Sequence, residues 1–211
     1  MSLGKNVSRV GAYILAGGGS TRFGRDKALA EFAGKPMLAR MIELMRRLTQ
    51  EVKIVAALGK YSGFGATVVE DHWPGEGPLG GIITALIRTQ ENDVACRWNF
   101  IVSCDMPFLT LDWMKYSAER AGKSTAQVVL PYSLNGPEPL CALWRTDART
   151  AVQEQFEKGV RKVTAAIEKL NSEVLDEGDW KRFDSAGRLF WNMNTAADYE
   201  EARRIVEAEQ T

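Results

Sequence analysis

Short apolar runs separated by stretches with helical spacing set the strongest limit on how this chain can fold. Residues 10–16 (VGAYILA), 52–58 (VKIVAAL), 66–69, 99–104 (NFIVSC), 126–131 (AQVVLP) and 140–145 (LCALWR) each read as a buried strand. Between the first two, Met37, Leu38, Met41, Ile42, Met45 and Leu48 recur at helical intervals. Their helix follows the turn Gly34-Lys35-Pro36, whose proline is well placed to open it. Residues 80–90, with Ile83, Leu86 and Ile87 on one side, and residues 111–121 predict two more helices. Helical stretches are expected at 147–157, 160–170 and 197–207, a short strand near 173–175 and a polar turn at 184–187. Strands alternating with helices in this way imply βαβ units and a largely parallel sheet covered on both faces. No internal repeat, low-complexity tract or linker interrupts the 211 residues, which predict one domain. In such sheets ligands bind beyond the carboxyl ends of the strands. Attention therefore goes to the loops after Ala16, around Asp71 and at Asp105.

Composition narrows the function classes. With 45% hydrophobic residues the chain can bury a full core. The 27 basic residues balance 27 acidic ones without a long run of either sign, which argues against a nucleic-acid-coating protein or an acidic tail. No stretch of eighteen apolar residues predicts a membrane span, and the opening MSLGKNVSRV lacks the apolar centre of a signal peptide. Cys96, Cys104 and Cys141 are odd in number and widely spaced, so they form neither a disulfide framework nor a metal pattern. A reduced, cytoplasmic setting is expected. His72 is the only histidine, which excludes a metal site or triad built from several. Cys104, beside Asp105, reads as small apolar packing rather than a nucleophile, since no base stands near it in sequence.

Against that neutral background the segment 13–27, YILAGGGSTRFGRDK, stands out. Glycines where a strand ends let backbone approach a ligand closely, and successive N–H groups there form an anion-binding concavity. Arg22, Arg25 and Lys27 add positive charge suited to a polyphosphate. Gly19 to Gly24 has Walker A spacing, but Arg25-Asp26 stand where Lys-Ser/Thr is needed. The dinucleotide pattern fails too, because its third glycine falls on Arg22.

The segment instead resembles the L-A-G-G-x-S-x-R-F/M-G-x-D-K signature of the nucleotidyltransferases that attach a nucleoside monophosphate to molybdopterin. It matches as Leu15-Ala16-Gly17-Gly18, Ser20, Arg22, Phe23-Gly24 and Asp26-Lys27. The paired glycines are more similar to the guanylyl-transferring branch than to the cytidylyl branch, whose loop usually reads L-A-A-G. The likeness continues through Gly34-Lys35-Pro36-Met37, then Asp71 with Pro74-Gly75-Glu76-Gly77-Pro78-Leu79-Gly80-Gly81, and Cys104-Asp105-Met106-Pro107. Glu138-Pro139-Leu140 and Gly159-Val160-Arg161-Lys162 resemble the family segments that line the pterin side, and Asn192-Met193-Asn194-Thr195 its late N-x-N-T, so the likeness runs from about residue 10 to residue 205. One departure stands out. Family members often carry an asparagine at the end of the second strand, where this chain reads Val55-Ala56-Ala57-Leu58.

The resemblance implies a three-layer, Rossmann-like α/β fold of the nucleotide-diphospho-sugar transferase type. Its N-terminal half would bind nucleotide and its C-terminal half molybdopterin. It implies Mg²⁺-dependent transfer of GMP from GTP to molybdopterin, with pyrophosphate released. The backbone of Leu15, Ala16, Gly17 and Gly18 and the segment Pro78, Leu79, Gly80 would hold the nucleotide, with Asp71 orienting the base. Arg22 and Lys27 would offset charge on the departing pyrophosphate, Asp105 would hold Mg²⁺, and Arg161 and Asn194 would face the pterin. Ordinary alternatives exist for several of these: Asp105 or Asp71 as turn residues, and Asn192 or Asn194 as the N-cap of the last helix. GTP and the molybdenum cofactor are the expected substrates, with transient contact to cofactor-synthesis proteins or apo-molybdoenzymes possible. A cytidylyltransferase of the same fold, acting on molybdopterin or a polyol phosphate, is one alternative. A catalytically silent nucleotide-binding regulator is the other.

Overall fold

The computed structural model describes residues 10–17 and 26–209. The chain runs β1 (Val10–Leu15), a small hairpin of β2 (Glu31–Phe32) and β3 (Lys35–Pro36), α1 (Met37–Arg46), β4 (Val52–Ala56), β5 (Thr67–Glu70) and α2 (Pro78–Asn92). It continues with β6 (Trp98–Ser103), α3 (Leu111–Lys123), β7 (Val128–Ser133), β8 (Gly136–Pro137), β9 (Cys141–Arg145) and α4 (Arg149–Glu157). Last come α5 (Val163–Ile167), β10 (Ser172–Leu175), α6 (Glu177–Trp180) and α7 (Ala196–Glu209).

One mixed sheet organises the molecule, with strand order β10-β7-β9-β6-β1-β4-β5 and β8 attached to β7. Of the seven strands on that path only β9 runs against its neighbours β6 and β7. The carboxyl ends of β1, β4, β5, β6 and β7 therefore share one rim, and the start of β9 joins them there.

Alternation along the strands divides the core into two layers. Ala12 and Ile14 of β1, Ile54 of β4, and Phe100 and Val102 of β6 face one layer, where Leu38, Met41, Trp113 and Met114 cover them from α1 and α3. Tyr13, Val55, Ile101 and Trp144 face the other, against Leu79, Ile82, Ile83 and Leu86 of α2. Each of these fully buried aliphatic side chains contributes about 1.5–3 kcal/mol on transfer from water. This three-layer α/β architecture is the one the alternating pattern implied.

Some boundaries differ from the sequence expectation. The strand expected over 52–58 stops at Ala56, and Leu58 is exposed on the turn that follows. The helix expected over 160–170 shrinks to Val163–Ile167. Gly159 adopts φ +91, which ends α4 in a left-handed turn, and Lys162 is extended, so the backbone cannot start helix earlier. Among the described residues no helix is long and apolar enough to cross a membrane.

Candidate active site

The carboxyl rim of the sheet gathers residues that lie far apart in sequence. Asp105 follows β6 and is 7% exposed, so its carboxylate needs partners. Ser103, the last residue of β6, donates its hydroxyl to Asp105 Oδ1 at 2.6 Å. Lys27 Nζ lies 3.1 Å from Oδ2 of the same carboxylate and 2.9 Å from Asn194 Oδ1. A backbone bond closes the group, with Met193 N–H donating to the Asp105 carbonyl at 3.0 Å. Three of the sequence-expected site residues, Lys27, Asp105 and Asn194, thus meet at one point.

Each is positioned by a local device. Asp26 caps the short helical turn Lys27–Leu29, accepting from Ala28 N–H, and its second oxygen accepts from the Tyr61 hydroxyl at 2.8 Å. Lys27 is therefore presented from a turn pinned at its start. Asn194 has no capping duty. Thr195 and Asp198 cap α7 reciprocally, Thr195 Oγ1 accepting from Asp198 N–H while Asp198 Oδ2 accepts from the N–H groups of Thr195 and Asn194. The N-cap alternative for Asn194 is thereby replaced by Thr195, and the Asn194 amide oxygen points to Lys27. Asn192 instead donates to the Phe190 carbonyl.

Leu15, Ala16 and Gly17 end β1 next to β4, where Ala16 N–H donates to the Val55 carbonyl. Gly18 and Arg22 lie outside the described residues. Beyond β5, Asp71 Oδ1 accepts from Trp73 N–H at 3.0 Å and from the Thr84 hydroxyl at 3.1 Å. Thr84, buried on α2, also accepts from His72 N–H. Asp71 is thus both a turn residue and a rim carboxylate whose second oxygen carries none of these bonds.

Pro78, Leu79 and Gly80 open α2, after Gly77 at φ +91. A Cβ on Gly80 would sit 3.0 Å from the Trp73 Cβ, and one on Gly81 3.3 Å from a Leu15 methyl. These two glycines serve close packing. They bring the helix start, with its unpaired N–H groups, against the end of β1. Arg161 does not join the cluster around Asp105. It reaches Glu76 at 2.6 Å, donates to the Phe156 carbonyl at 2.7 Å, and lies 3.9 Å over the Phe156 ring. That fastens the 159–162 loop to the Pro74–Gly77 loop.

Sequence reasoning missed Ser103, Thr84 and Tyr61, whose partners at 105, 71 and 26 no local pattern announces. Cys104 behaves as expected. Burial first, and Asp105 second, push its thiol well up, which keeps it protonated near neutral pH. Among the described residues no group of three acidic, histidine or cysteine side chains surrounds a metal position. A single carboxylate fits a hard cation whose remaining ligands are substrate phosphates and water, as is usual for Mg²⁺.

Comparison with known proteins identifies the family. Residues 12–173 match the model of the MobA-like NTP transferase domain. A relative named probable molybdenum cofactor guanylyltransferase, from Clostridium perfringens, is 28% identical over 193 residues, covering 90% of this chain and 94% of its own. The solved structure of molybdopterin-guanine dinucleotide biosynthesis protein A from Archaeoglobus fulgidus superposes with a TM-score of 0.78 at 24% identity, covering 93% of this chain and 98% of that one. A CMP:2-keto-3-deoxy-manno-octonic acid synthetase, solved with CTP, shares the fold at a TM-score of 0.71 and 13% identity, over 96% of this chain and 100% of that one. The chain belongs to the MobA-like NTP transferase family and is a nucleotidyltransferase.

Proposed function

We propose that this nucleotidyltransferase moves GMP from GTP to molybdopterin, giving the guanine dinucleotide form of the molybdenum cofactor and pyrophosphate. The observation that carries the reading is the meeting of Lys27, Asp105 and Asn194 at the sheet rim. The names of the relatives support guanine and molybdopterin as the substrates.

In the reaction the terminal phosphate of the acceptor attacks the α-phosphorus of GTP. The new P–O bond forms as the bond from the α-phosphorus to the bridging oxygen breaks, and the electron pair leaves with pyrophosphate. A phosphate monoester is already ionised at neutral pH, so no side chain has to remove a proton. Positioning and charge neutralisation remain as the protein's task. The rim suits that task, with a cation and a carboxylate in contact.

Leu15, Ala16, Gly17, Gly18 and the start of α2 at Pro78, Leu79 and Gly80 would cradle the nucleotide. Asp71 would take N–H groups of the base. Arg22 and Lys27 would neutralise the leaving pyrophosphate. Asp105 would hold Mg²⁺, which would supply positive charge to offset the charge developing at the α-phosphoryl group. Asn194, and Arg161 from the far side of the Pro74–Gly77 loop, would face the acceptor. Three buried cysteines, none in a disulfide, support a reducing cytoplasmic setting.

Calorimetry with GTP, CTP and ATP, with and without Mg²⁺, tests the reading. Wild type is expected to prefer GTP and to bind it more tightly with Mg²⁺. Asp105→Asn should lose the Mg²⁺ enhancement and at least about 100-fold in turnover. Preference for CTP would move the enzyme to cytidylyl transfer on the same fold. Tight binding without pyrophosphate release would make it a regulator.

A further inference from the structure

The loop between β4 and β5, residues 57–66, reaches the rim beside the turn that carries Lys27, because β4 is the sheet neighbour of β1. Residues 55–58, VAAL, give that loop no polar side chain where it leaves β4. Its contact with the turn is made farther along, by Tyr61. The Tyr61 hydroxyl donates to Asp26 Oδ2 at 2.8 Å. Among the described residues only Lys60 also approaches that oxygen, at 3.5 Å, and an exposed pair at such a distance holds little.

Tyr61 is itself firmly held. Its backbone is left-handed, at φ 59 and ψ 19, a conformation that a bulky residue keeps only where its surroundings impose it. The ring packs against the core and meets Phe64 edge-on, with centroids 6.2 Å apart. Burial first, and the bond to Asp26 second, push the phenol well up, so it remains a donor near neutral pH. A side chain held this tightly can fix what it bonds to.

The other Asp26 oxygen caps the Lys27–Leu29 turn through Ala28 N–H. A carboxylate gripped at both oxygens cannot swing, and the turn it caps keeps one orientation. Lys27 leaves that turn toward Asp105 and Asn194. Resting on the reading of Lys27 above, we propose that Tyr61 is a positioning residue for Lys27. Through Asp26 it fixes where the Lys27 ammonium meets the phosphates of the departing pyrophosphate, and small misplacements of such a charge are costly. The loop between β4 and β5 thus takes part in charge neutralisation by acting through Asp26 rather than on the substrate.

A double-mutant cycle on the full chain provides the test, read as pyrophosphate binding by calorimetry in the presence of Mg²⁺. The proteins are wild type, Tyr61→Phe, Lys27→Met and the double variant. Phenylalanine keeps the ring against the core and removes only the hydroxyl, and a thermal melt of each protein accompanies the titrations. Lys27→Met is expected to weaken pyrophosphate by at least ~10-fold, and Tyr61→Phe by about 5-fold. In the Lys27→Met background, Tyr61→Phe should change affinity by less than about 2-fold, because the group it positions is gone. A merely structural Tyr61 would lower the melting temperature without this coupling. Wild-type affinity in Tyr61→Phe, or an equal loss in both backgrounds, overturns the positioning role and leaves Lys27 as read. Wild-type affinity in Lys27→Met overturns the reading of Lys27 and this proposal with it. Preference for CTP over GTP would change the nucleotide alone, since pyrophosphate leaves from either.

Discussion

Thr84 shows how a single side chain reaches the candidate site through another. It lies thirteen positions after Asp71, on the buried face of α2, and its hydroxyl both donates to the Asp71 carboxylate and accepts from His72 N–H. A bent loop end is thereby fixed to a rigid helix. Thr84→Val keeps the shape but leaves the His72 N–H and one acceptor site on Asp71 without this partner. Each such loss costs about 1–3 kcal/mol where water cannot enter. The expected outcome is a lower melting temperature and a GTP-over-CTP preference reduced by ~10-fold, read by calorimetry. Unchanged nucleotide preference would make Thr84 a structural anchor only.

At the scale of elements, the start of α2 decides how closely a helix can approach the end of β1. Gly80 and Gly81 are neighbours with different tolerances. A Cβ at Gly80 meets Trp73 at its Cβ, which can move only with the backbone, whereas at Gly81 it meets the methyl ends of Leu15, which can rotate. Gly80→Ala should therefore displace the loop that carries Asp71 and Trp73. Nucleotide affinity should fall about 10-fold, with a stability loss of roughly 1–3 kcal/mol. Gly81→Ala should cost less on both counts. Equal effects of the two substitutions in binding and thermal unfolding would contradict this account. The last helix makes a related point, since its Thr195–Asp198 cap leaves Asn194 for the rim.

Across the whole molecule, a buried polar network and the candidate site occupy opposite ends of the sheet. At the amino end of β1, Gly11 pairs in register with Asn99 of β6, which is fully buried. Asn99 accepts from Thr89 at 2.6 Å and donates to Thr146 at 3.0 Å, and Thr89 meets the Tyr13 hydroxyl at 2.7 Å. Burial pushes the Tyr13 phenol up to about 12, so the network stays neutral. A Cβ on Gly11 would fall 2.5 Å from Asn99 Oδ1. Gly11→Ala should therefore break the network and cost about 2–4 kcal/mol in denaturant unfolding. Below its melting temperature the variant should bind nucleotide as wild type does, because the rim lies a strand length away. Impaired binding by a folded variant would show that the two ends are coupled.

The alternation of apolar strands and amphipathic helices was legible in the sequence because burial on both faces imposes it locally. So were the rim loops, since a strand that ends in Gly or Asp marks its own carboxyl end. The charged, glycine-rich segment 13–27 suggested a phosphate-binding loop, and its residues 18–25 lie outside the described residues. Tertiary structure alone decided the partners. Nothing near position 27 announces Asp105 and Asn194, or near 71 announces Thr84, because those contacts form only when distant strands and helices pack. It also set the direction of β9, which lies between two parallel strands and reads in sequence like any other buried strand. Local periodicity records which face of an element is buried, whereas the neighbour that buries it is chosen by the packing of the whole chain.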